Sequence, residues 1–354
     1  MTGDYKALKL LASSNPHIRN NEDTRSIMLD VIIALCPALA WSIYRFGARA
    51  LIAAVVSVGS AMCWEWLYRK ALKKPQMLGD LSAAVTGLLL AMVCPVTLPY
   101  WMLVVGNFFA IVVVKQLYGG LGKNFMNPAL AGRAALVACY ASQMTTWFDP
   151  NNASGVKAPV SLIGQNLDAV TAATPLAVMK DVSTAQAFEE FAARYSVGDL
   201  FIGWIGGSAG EVSAMMLLIG GLYLIFRKVI SWHIPVAYIG TVAVLGLLTA
   251  PAGASALTYM LYSIFGGGLM LGAFFMATDY VTSPVTKKGQ IIFGIGCGLL
   301  TVFIRKFGSF PEGVCYSILL MNCTVWIIDK HVKPVRFGTD PAAEKAKAKE
   351  AAKK

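Results

Sequence analysis

A short polar loop carries the most distinctive chemistry of this chain. Residues 168–176 read Asp-Ala-Val-Thr-Ala-Ala-Thr-Pro-Leu and place hydroxyl groups beside a carboxylate. A hydroxyl at such a position can cap a helix, since Ser, Thr and Asp are ordinary N-cap residues. It can equally accept a covalent phosphate-bearing group. The loop alone leaves both interpretations open. A covalent group would make the protein a carrier of that group, whereas a hydroxyl that only caps a helix would also fit a pore or a scaffold.

The composition predicts the class of protein that holds this loop. Of 354 residues, 56% are hydrophobic and only 14% are charged, with a mean hydropathy of +0.61. Soluble domains carry about 25% charged residues, so the chain is predicted to be a multi-pass, all-α membrane protein. About 20 apolar residues cross a bilayer as a helix. Ten windows approach this length: 27–45, 50–68, 80–95, 98–115, 126–142, 211–227, 230–250, 255–278, 289–305 and 311–329.

Two places depart from this regular pattern. The window 80–95 is short and ends at Pro95, which predicts a broken or half-crossing helix. Residues 198–210 are Gly-rich and only mildly apolar, so they are candidates for a further partial segment.

The distribution of Lys and Arg predicts the orientation in the membrane. With both termini in the cytoplasm, 22 of the 30 basic residues lie inside, as the positive-inside rule favours. The net charge of +11 is then mostly a topological signal. A nucleic-acid patch is the weaker alternative, because the basic residues are spread over separate loops. Residues 1–26 are polar and lack the apolar stretch of a cleavable signal peptide.

An internal repeat organises the windows into two halves. Residues 87–95 and 267–278 are similar, and each precedes a Gly-bearing helix that ends in a basic residue, Lys115 or Arg305. Five windows per half is an odd number, so the halves are predicted to cross the membrane in opposite senses. Inverted repeats bring broken helices together near the midplane, where a ligand can bind. The predicted divisions are a cytoplasmic segment, a first repeat, an extracytoplasmic loop, a second repeat and a basic tail: 1–26, 27–142, 143–197, 198–329 and 330–354.

Polar groups at membrane depth are the next candidates for function. They cluster in residues 115–133, 207–211 and 278–286, and the ionisable members include Arg133, Glu211 and Asp279. Such groups are costly inside a membrane, which favours a functional role. The alternative is that they pair with one another or cap broken helices. An apolar slot with a few hydrogen-bonding groups suits a flavin ring or a quinone.

The cysteines and histidines predict no metal centre. Seven cysteines form no Cys-x-x-Cys pair, and three histidines are scattered along the chain. This pattern lacks the ligand spacing of a zinc, haem or iron–sulfur site. Buried small hydrophobic residues are the favoured interpretation of the cysteines; one cysteine shared with a neighbouring subunit is the alternative.

Several motifs resemble one known family over nearly the whole chain, from Asn15 to Asp329. Residues 119–129 read Gly-Gly-Leu-Gly-Lys-Asn-Phe-Met-Asn-Pro-Ala, and residues 275–279 read Phe-Met-Ala-Thr-Asp. Further matches are Gly210-Glu211, Ser283-Pro284, Arg305, Pro311-Glu312-Gly313 and Asn322. The chain resembles the D subunit of the Rnf complex, an ion-translocating ferredoxin:NAD oxidoreductase. The same family includes the B subunit of the sodium-translocating NADH:quinone reductase.

The resemblance implies a covalent flavin on the polar loop. In the family, a threonine within Asp-x-x-Ser/Thr-x-Ala-Thr carries FMN through a phosphoester. The matching residues here are Asp168, Thr171 and Thr174, which makes Thr174 the expected attachment site. Family members often have Gly where this chain has Ala172. A flavin transferase is expected as a partner on the outer face.

The resemblance also implies a second, non-covalent flavin, either riboflavin or FMN, within the membrane domain. The candidate residues for it are Lys115, Asn124, Asn127, Arg133 and Asp279. Electrons are expected to arrive at the outer FMN from a second covalent-flavin subunit and to pass inward through the buried flavin. Glu211 and Asp279 are candidates for coupling this transfer to Na⁺ or H⁺ movement. The expected location is a bacterial inner membrane, among the other subunits of the complex.

Three alternatives to this function remain at this point. The quinone-reducing relative usually carries a longer N-terminal extension, and the 26 residues before the first window favour the Rnf-type subunit. A channel with the inverted repeat of urea transporters would carry no flavin. A purely structural subunit that only positions its redox partners would also be colourless.

Overall fold

Helices form the regular structure of the chain. The computed structural model describes residues 23–148, 174–180, 182, 184–308 and 312–333. Within those ranges no β-strand is present, and one isolated β-bridge joins Pro95 to Ser208. The all-α fold class predicted from composition is confirmed for this part of the chain.

The first half contains five apolar helices. They are α1 (Thr24–Phe46), α2 (Ala48–Ala71), α3 (Ser82–Val93), α4 (Tyr100–Gln116) and α5 (Pro128–Cys139). Within α4 the stretch Phe108–Gln116 is π-helical. Short single turns occupy Leu78–Asp80 and Ala141–Met144.

Three short helices follow the described part of the central loop: α6 (Pro175–Lys180), α7 (Ala185–Arg194) and α8 (Val197–Ile202). The second half then contains α9 (Ala214–Phe226), α10 (His233–Leu248), α11 (Ala256–Phe265), α12 (Leu269–Met276), α13 (Lys287–Phe307) and α14 (Val314–His331). In α12 the stretch Gly272–Met276 is π-helical.

Each of the ten predicted windows contains a helix or a bent helix pair. By length and apolar composition, α1, α2 and α13 can each cross a membrane, and the pair α11 and α12 can form a fourth crossing. Five further apolar helices have 10–17 residues. A multi-pass membrane protein is therefore supported, and the count of ten spans stays a prediction.

Two interruptions of the helices lie where the halves meet. Helix α3 ends at Val93, two residues before Pro95, as the short third window predicted. The second interruption separates α11 from α12, which are bent by 62°. Gly267 there has φ +71°, a left-handed conformation that favours glycine over residues with a Cβ.

The first helices of the two halves, α1 and α9, pack closely against each other. A Cβ added to Gly220 of α9 would lie 2.0 Å from the carbonyl oxygen of Ala34 in α1. Near the other end of the contact, Asp30 of α1 accepts hydrogen bonds from the Tyr223 hydroxyl and from Nη2 of Arg227, both at 3.0 Å. The glycine therefore sets how closely the two halves approach.

This contact generates a stability prediction for Gly220→Ala. The added methyl must push α1 and α9 apart, and overpacking of this kind costs about 1–3 kcal/mol. Gly240→Ala is the matched control, since Gly240 is a helical glycine with nothing within 4 Å of the added Cβ. Thermal unfolding of the purified complex should show a lower midpoint for the first variant only. Equal midpoints would contradict the close packing.

Candidate functional site

A cavity of about 90 Å³ lies on the side of the bundle that holds the N-terminus of α5. Its walls are apolar and include Leu89 of α3 together with Phe274 and Phe275 of α12. Its polar lining includes Lys115, Asn124, Asn127 and Asp279. These are four of the five residues that the sequence assigned to a buried flavin, so the fold brings them together. We call this space the inner cavity.

Local geometry explains how the two asparagines reach the inner cavity. The Asn127 side chain caps α5 by accepting from Ala129 N at 3.0 Å and from Leu130 N at 3.3 Å. The Asn127 side-chain amide donates to Met276 O at 3.1 Å, which fixes α12 against α5. Asn124 donates to Met126 O at 3.1 Å. Asn127 is thus the N-cap of α5, and Pro128 is the first residue of that helix.

Asp279 caps a turn beside this cavity. Its carboxylate accepts from the Thr282 hydroxyl at 3.1 Å and from Val281 N at 3.5 Å. The sequence left open whether Asp279 pairs with another buried charge or caps a broken helix. The capping alternative fits these contacts.

Lys115 is held by a buried ionic cluster that the sequence pattern did not reveal. Lys115 Nζ lies 2.9 Å from Glu65 Oε2 and 2.6 Å from Ser82 Oγ. The other oxygen of Glu65 accepts from Gln116 Nε2 at 2.8 Å, and Arg69 Nε lies 3.4 Å away. Glu65 is fully buried, within the apolar window 50–68. The sequence signal that could have revealed this cluster is a carboxylate within an apolar window, because such a group is costly inside a membrane.

Both π-helical stretches border the inner cavity. One ends with Lys115 and Gln116 of α4, and the other contains Phe274 and Phe275 of α12. Such stretches are rare and occur often at functional sites. Their position favours a binding role for this cavity.

Arg133 lies elsewhere, in a second ionic cluster. The structure does not place it among the residues that line the inner cavity. Its Nη1 lies 3.5 Å from Glu211 Oε1, and its Nη2 forms a short ion pair with Glu312. Glu312 Oε1 also accepts from Gly268 N at 2.8 Å. The predicted alternative that Arg133 and Glu211 pair with each other is therefore confirmed.

Glu312 was not assigned a role from the sequence, although it lies within a motif of the family resemblance. The available signal was a carboxylate at the start of the apolar window 311–329. Its partner could not be read from the pattern, because Arg133 is 179 positions away.

Thr174 lies beside this second cluster. A small cavity of about 40 Å³ is lined by Thr174, Ser208, Glu211, Glu312 and the glycines at the break between α11 and α12. We call it the outer cavity. Thr174 precedes α6 and its hydroxyl oxygen accepts from Ala177 N at 3.2 Å, so Thr174 caps this helix, and this contact leaves the covalent alternative open. Esterification would replace only the hydroxyl proton and would leave that oxygen in place. Asp168 and Thr171 lie outside the described residues.

The comparisons with known proteins agree on one family. The model of the NQR2, RnfD, RnfE family matches residues 11–338. A protein of Acetobacterium woodii is 48% identical over 343 residues, covering 96% of this chain and 99% of its own length. It is named as the D subunit of a Na(+)-translocating ferredoxin:NAD(+) oxidoreductase complex.

Two further relatives extend this similarity. The D subunit of the proton-translocating ferredoxin:NAD(+) oxidoreductase complex of Clostridium ljungdahlii is 44% identical and covers 92% of this chain and 96% of its own length. The D subunit of the ion-translocating oxidoreductase complex of Stutzerimonas stutzeri is 38% identical and covers 91% of this chain and 93% of its own length. The names of the first two relatives state different ions, so similarity at this level does not choose between them.

The Glu65 cluster generates a second stability prediction. Glu65→Ala leaves Lys115 buried without its carboxylate, and breaking a buried pair costs about 3–5 kcal/mol. Glu189→Ala is the matched control, because Glu189 is exposed on α7 and its removal should change stability by less than about 0.5 kcal/mol. Thermal melting of the purified complex measures both. A Glu65→Ala variant as stable as the control would show that the cluster is not needed.

Proposed function

The chain belongs to the NQR2, RnfD, RnfE family, and we propose that it is the D-type membrane subunit of an ion-translocating ferredoxin:NAD⁺ oxidoreductase. Similarity over more than nine-tenths of this chain to relatives with that name carries the proposal. The all-helical structure with several apolar helices agrees with a subunit embedded in a membrane. Alone, the chain is one component of an electron path whose other parts lie on partner subunits.

The outer end of this path is an FMN joined to Thr174 by a phosphoester. Thr174 is half-buried at a helix start and lies beside a cavity. Its oxygen is therefore held in place within the stretch that is proposed to be extracytoplasmic. A flavin transferase on the extracytoplasmic side would form this ester. When bound, the flavin supplies the redox chemistry, while the chain binds and orients it.

The inner end is a second flavin, riboflavin or FMN, at the inner cavity, whose walls move apart to admit it because about 90 Å³ is below the ~300 Å³ of a small ligand site. The residues there suit a flat aromatic ring: Phe274, Phe275 and Leu89 supply apolar surface, and Asn124 and Asp279 supply hydrogen-bonding groups at the edge. Lys115 contributes a positive charge, partly balanced by Glu65. Because Arg133 belongs to the outer cluster, it is no longer among the groups proposed to hold this flavin.

The two cavities fit the proposed orientation, with both termini in the cytoplasm of a bacterial cell and two inverted five-helix repeats. The inner cavity lies at the N-terminal end of α5, beside the basic residues assigned to the inside. The outer cavity lies beside Thr174, in the stretch assigned to the outside. We propose that electrons pass between them, with Glu211 and Asp279 as the acidic groups that couple this transfer to Na⁺ or H⁺. A second flavin-bearing subunit of the complex supplies the electrons.

Attachment at Thr174 generates the first functional prediction. Thr174→Val removes the oxygen that forms the ester, so in-gel flavin fluorescence of the denatured subunit should fall to background. Thr184→Val is the matched control, because Thr184 also caps a helix, by accepting from Ala187 N at 3.3 Å. Its fluorescence should equal that of the wild type. Undiminished fluorescence in Thr174→Val would refute the attachment site, and a colourless wild type would favour a channel or scaffold.

The inner cavity generates a second functional prediction. Asn124→Leu and Asp279→Asn, each made in the Thr174→Val background, should weaken retention of extractable flavin about tenfold, as expected for one lost buried hydrogen bond. Thr324→Val is the control, since Thr324 bonds within its own helix and lines neither cavity. Chromatography of the flavin extracted from the purified complex measures retention. Unchanged flavin in both cavity variants would place that cofactor elsewhere.

A further inference from the structure

A larger cavity lies where two apolar helices end, and neither proposed flavin uses it. Its volume is about 420 Å³, and its walls come from the C-terminal parts of α10 and α13, from α11 and from the short helix α6. Small-molecule sites begin at about 300 Å³, so this space is large enough to hold a ligand group. We call it the basic cavity, because Lys180, Arg305 and Lys306 line it.

The lining of the basic cavity carries positive charge without matching negative charge. No Asp or Glu belongs to this lining in the part of the chain that the structure describes. Among the same residues, no carboxylate forms an ion pair with Arg305 or Lys306. A cleft lined by charge of one sign attracts ligands of the opposite sign, so the cavity favours an anion.

The guanidinium of Arg305 is fixed in position and keeps further donors. Its Nη1 donates to Ser263 O at 2.6 Å and its Nη2 to Gly266 O at 3.1 Å. Its Nε is buried and forms no hydrogen bond with any residue that the structure describes. Because a guanidinium has five N–H donors, Arg305 can still bind an acceptor that enters the cavity.

Glu312 lies near Arg305 and is already paired with another cation. A Cβ added to Gly267 would lie 3.4 Å from Arg305 Nη2 and 3.8 Å from Glu312 Oε1. Glu312 forms its ion pair with Arg133, however, and does not line the basic cavity. It therefore offsets the charge of Arg305 only in part.

The short helix α6 forms one wall of the basic cavity. Leu176 and Met179 supply apolar surface there. Lys180 Nζ donates to Gly308 O at 2.5 Å, which ties the end of α6 to the end of α13. The cavity is thus bounded by apolar groups as well as by cations, as an amphiphilic ligand requires.

Exposed apolar side chains adjoin the basic cavity. Leu248, Phe303 and Phe307 are each next in sequence to a residue that lines it. Their exposed fractions are 75%, 59% and 71%. Since α13 is long and apolar enough to cross a membrane, these side chains are expected to contact acyl chains. The cations at the end of α13 then lie where hydrocarbon meets water.

The positive-inside rule does not account for these cations. In the proposed orientation the C-terminal end of α13 lies on the outer side of the membrane, where basic residues are fewer. Arg305 and Lys306 are adjacent at this end, and both line the same cavity. Their position therefore favours a role in binding over a role in membrane insertion.

We propose that the basic cavity binds an anionic phospholipid of the surrounding membrane. Its phosphodiester lies against Arg305 and Lys306, because guanidinium and ammonium groups form charge-assisted hydrogen bonds with phosphate oxygens. Its acyl chains lie along the exposed apolar side chains of α10 and α13. Basic pockets between membrane helices are known to bind lipid head groups. Because α6 begins directly after Thr174, the bound lipid also holds that helix against α13.

The test compares two lipids that differ only in the charge of the head group. Native mass spectrometry of the purified, delipidated complex measures binding of phosphatidylglycerol and of phosphatidylcholine with the same acyl chains, each offered in mixed micelles. Phosphatidylglycerol should bind at least about fivefold more tightly, as expected from the charge of one nearby basic side chain. Equal binding of the two lipids, or displacement of phosphatidylglycerol by equimolar inorganic phosphate, would overturn the proposal.

Variants assign this preference to the basic cavity, since other subunits of the complex also contact lipid. Lys306→Gln removes one charge from an exposed side chain and should weaken phosphatidylglycerol binding about fivefold, with phosphatidylcholine unchanged. Ala250→Phe fills the cavity and keeps every charge, so it should also reduce the preference.

Lys288→Gln is the matched control for Lys306→Gln. It makes the same change to an exposed lysine near the other end of α13, away from the inner, outer and basic cavities. This variant should bind both lipids as the wild type does. A preference that persists in Lys306→Gln, or that falls equally in Lys288→Gln, would contradict the assignment.

Repeating the measurement on Thr174→Val separates this proposal from the proposed function. The preference for phosphatidylglycerol should persist when the flavin is lost. If it disappears with the flavin, the cavity belongs to the flavin and the lipid proposal fails. If the wild type carries no flavin on Thr174 and still prefers phosphatidylglycerol, the flavin attachment fails and the lipid site stands.

Discussion

The ion pairs of Arg133 are the contacts on which the rest of the structure depends. This guanidinium lies in α5 of the first half and holds Glu211 and Glu312, which belong to the second half. At the N-terminus of α5, the Asn127 side-chain amide donates to Met276 O. The amide oxygen of Asn322, in the orientation that satisfies its neighbours, accepts from Asn127 N at 3.1 Å. Polar contacts from the start and the middle of one helix thus fix the two halves against each other, in surroundings where an unpaired polar group is costly.

The same helix separates the two cavities. Asn127 faces the inner cavity, and Arg133 reaches the cluster that lines the outer cavity. Six residues of α-helix advance about 9 Å. Two sites with apolar walls are therefore placed one above the other, and each contains a carboxylate and a hydrogen-bond donor beside a helix end. This arrangement agrees with the proposed transfer of electrons between the two cavities, because each cavity has ionic side chains beside it.

Much of this organisation could be predicted from the sequence because it depends on local pattern. Apolar windows placed the helices, and Pro95 placed the end of α3. Of the five residues assigned to the second flavin, the structure brings four together at the inner cavity. Arg133 could not be separated from them by sequence, because its partners are 78 and 179 positions away. Glu65 and Glu312 were missed for a similar reason. Each lies in an apolar window, and its role depends on a basic side chain from another helix, which a local pattern does not show.

The proposed function depends most on a covalent flavin carried by the outer loop. Mass analysis of the purified polypeptide, made in cells with and without a flavin transferase, tests this attachment most directly. We predict that only the transferase-containing cells give the mass of an added FMN phosphoester, located by fragmentation on the peptide that contains Thr174. Recovery of that peptide unmodified from a fully active complex would contradict the electron path proposed for this chain.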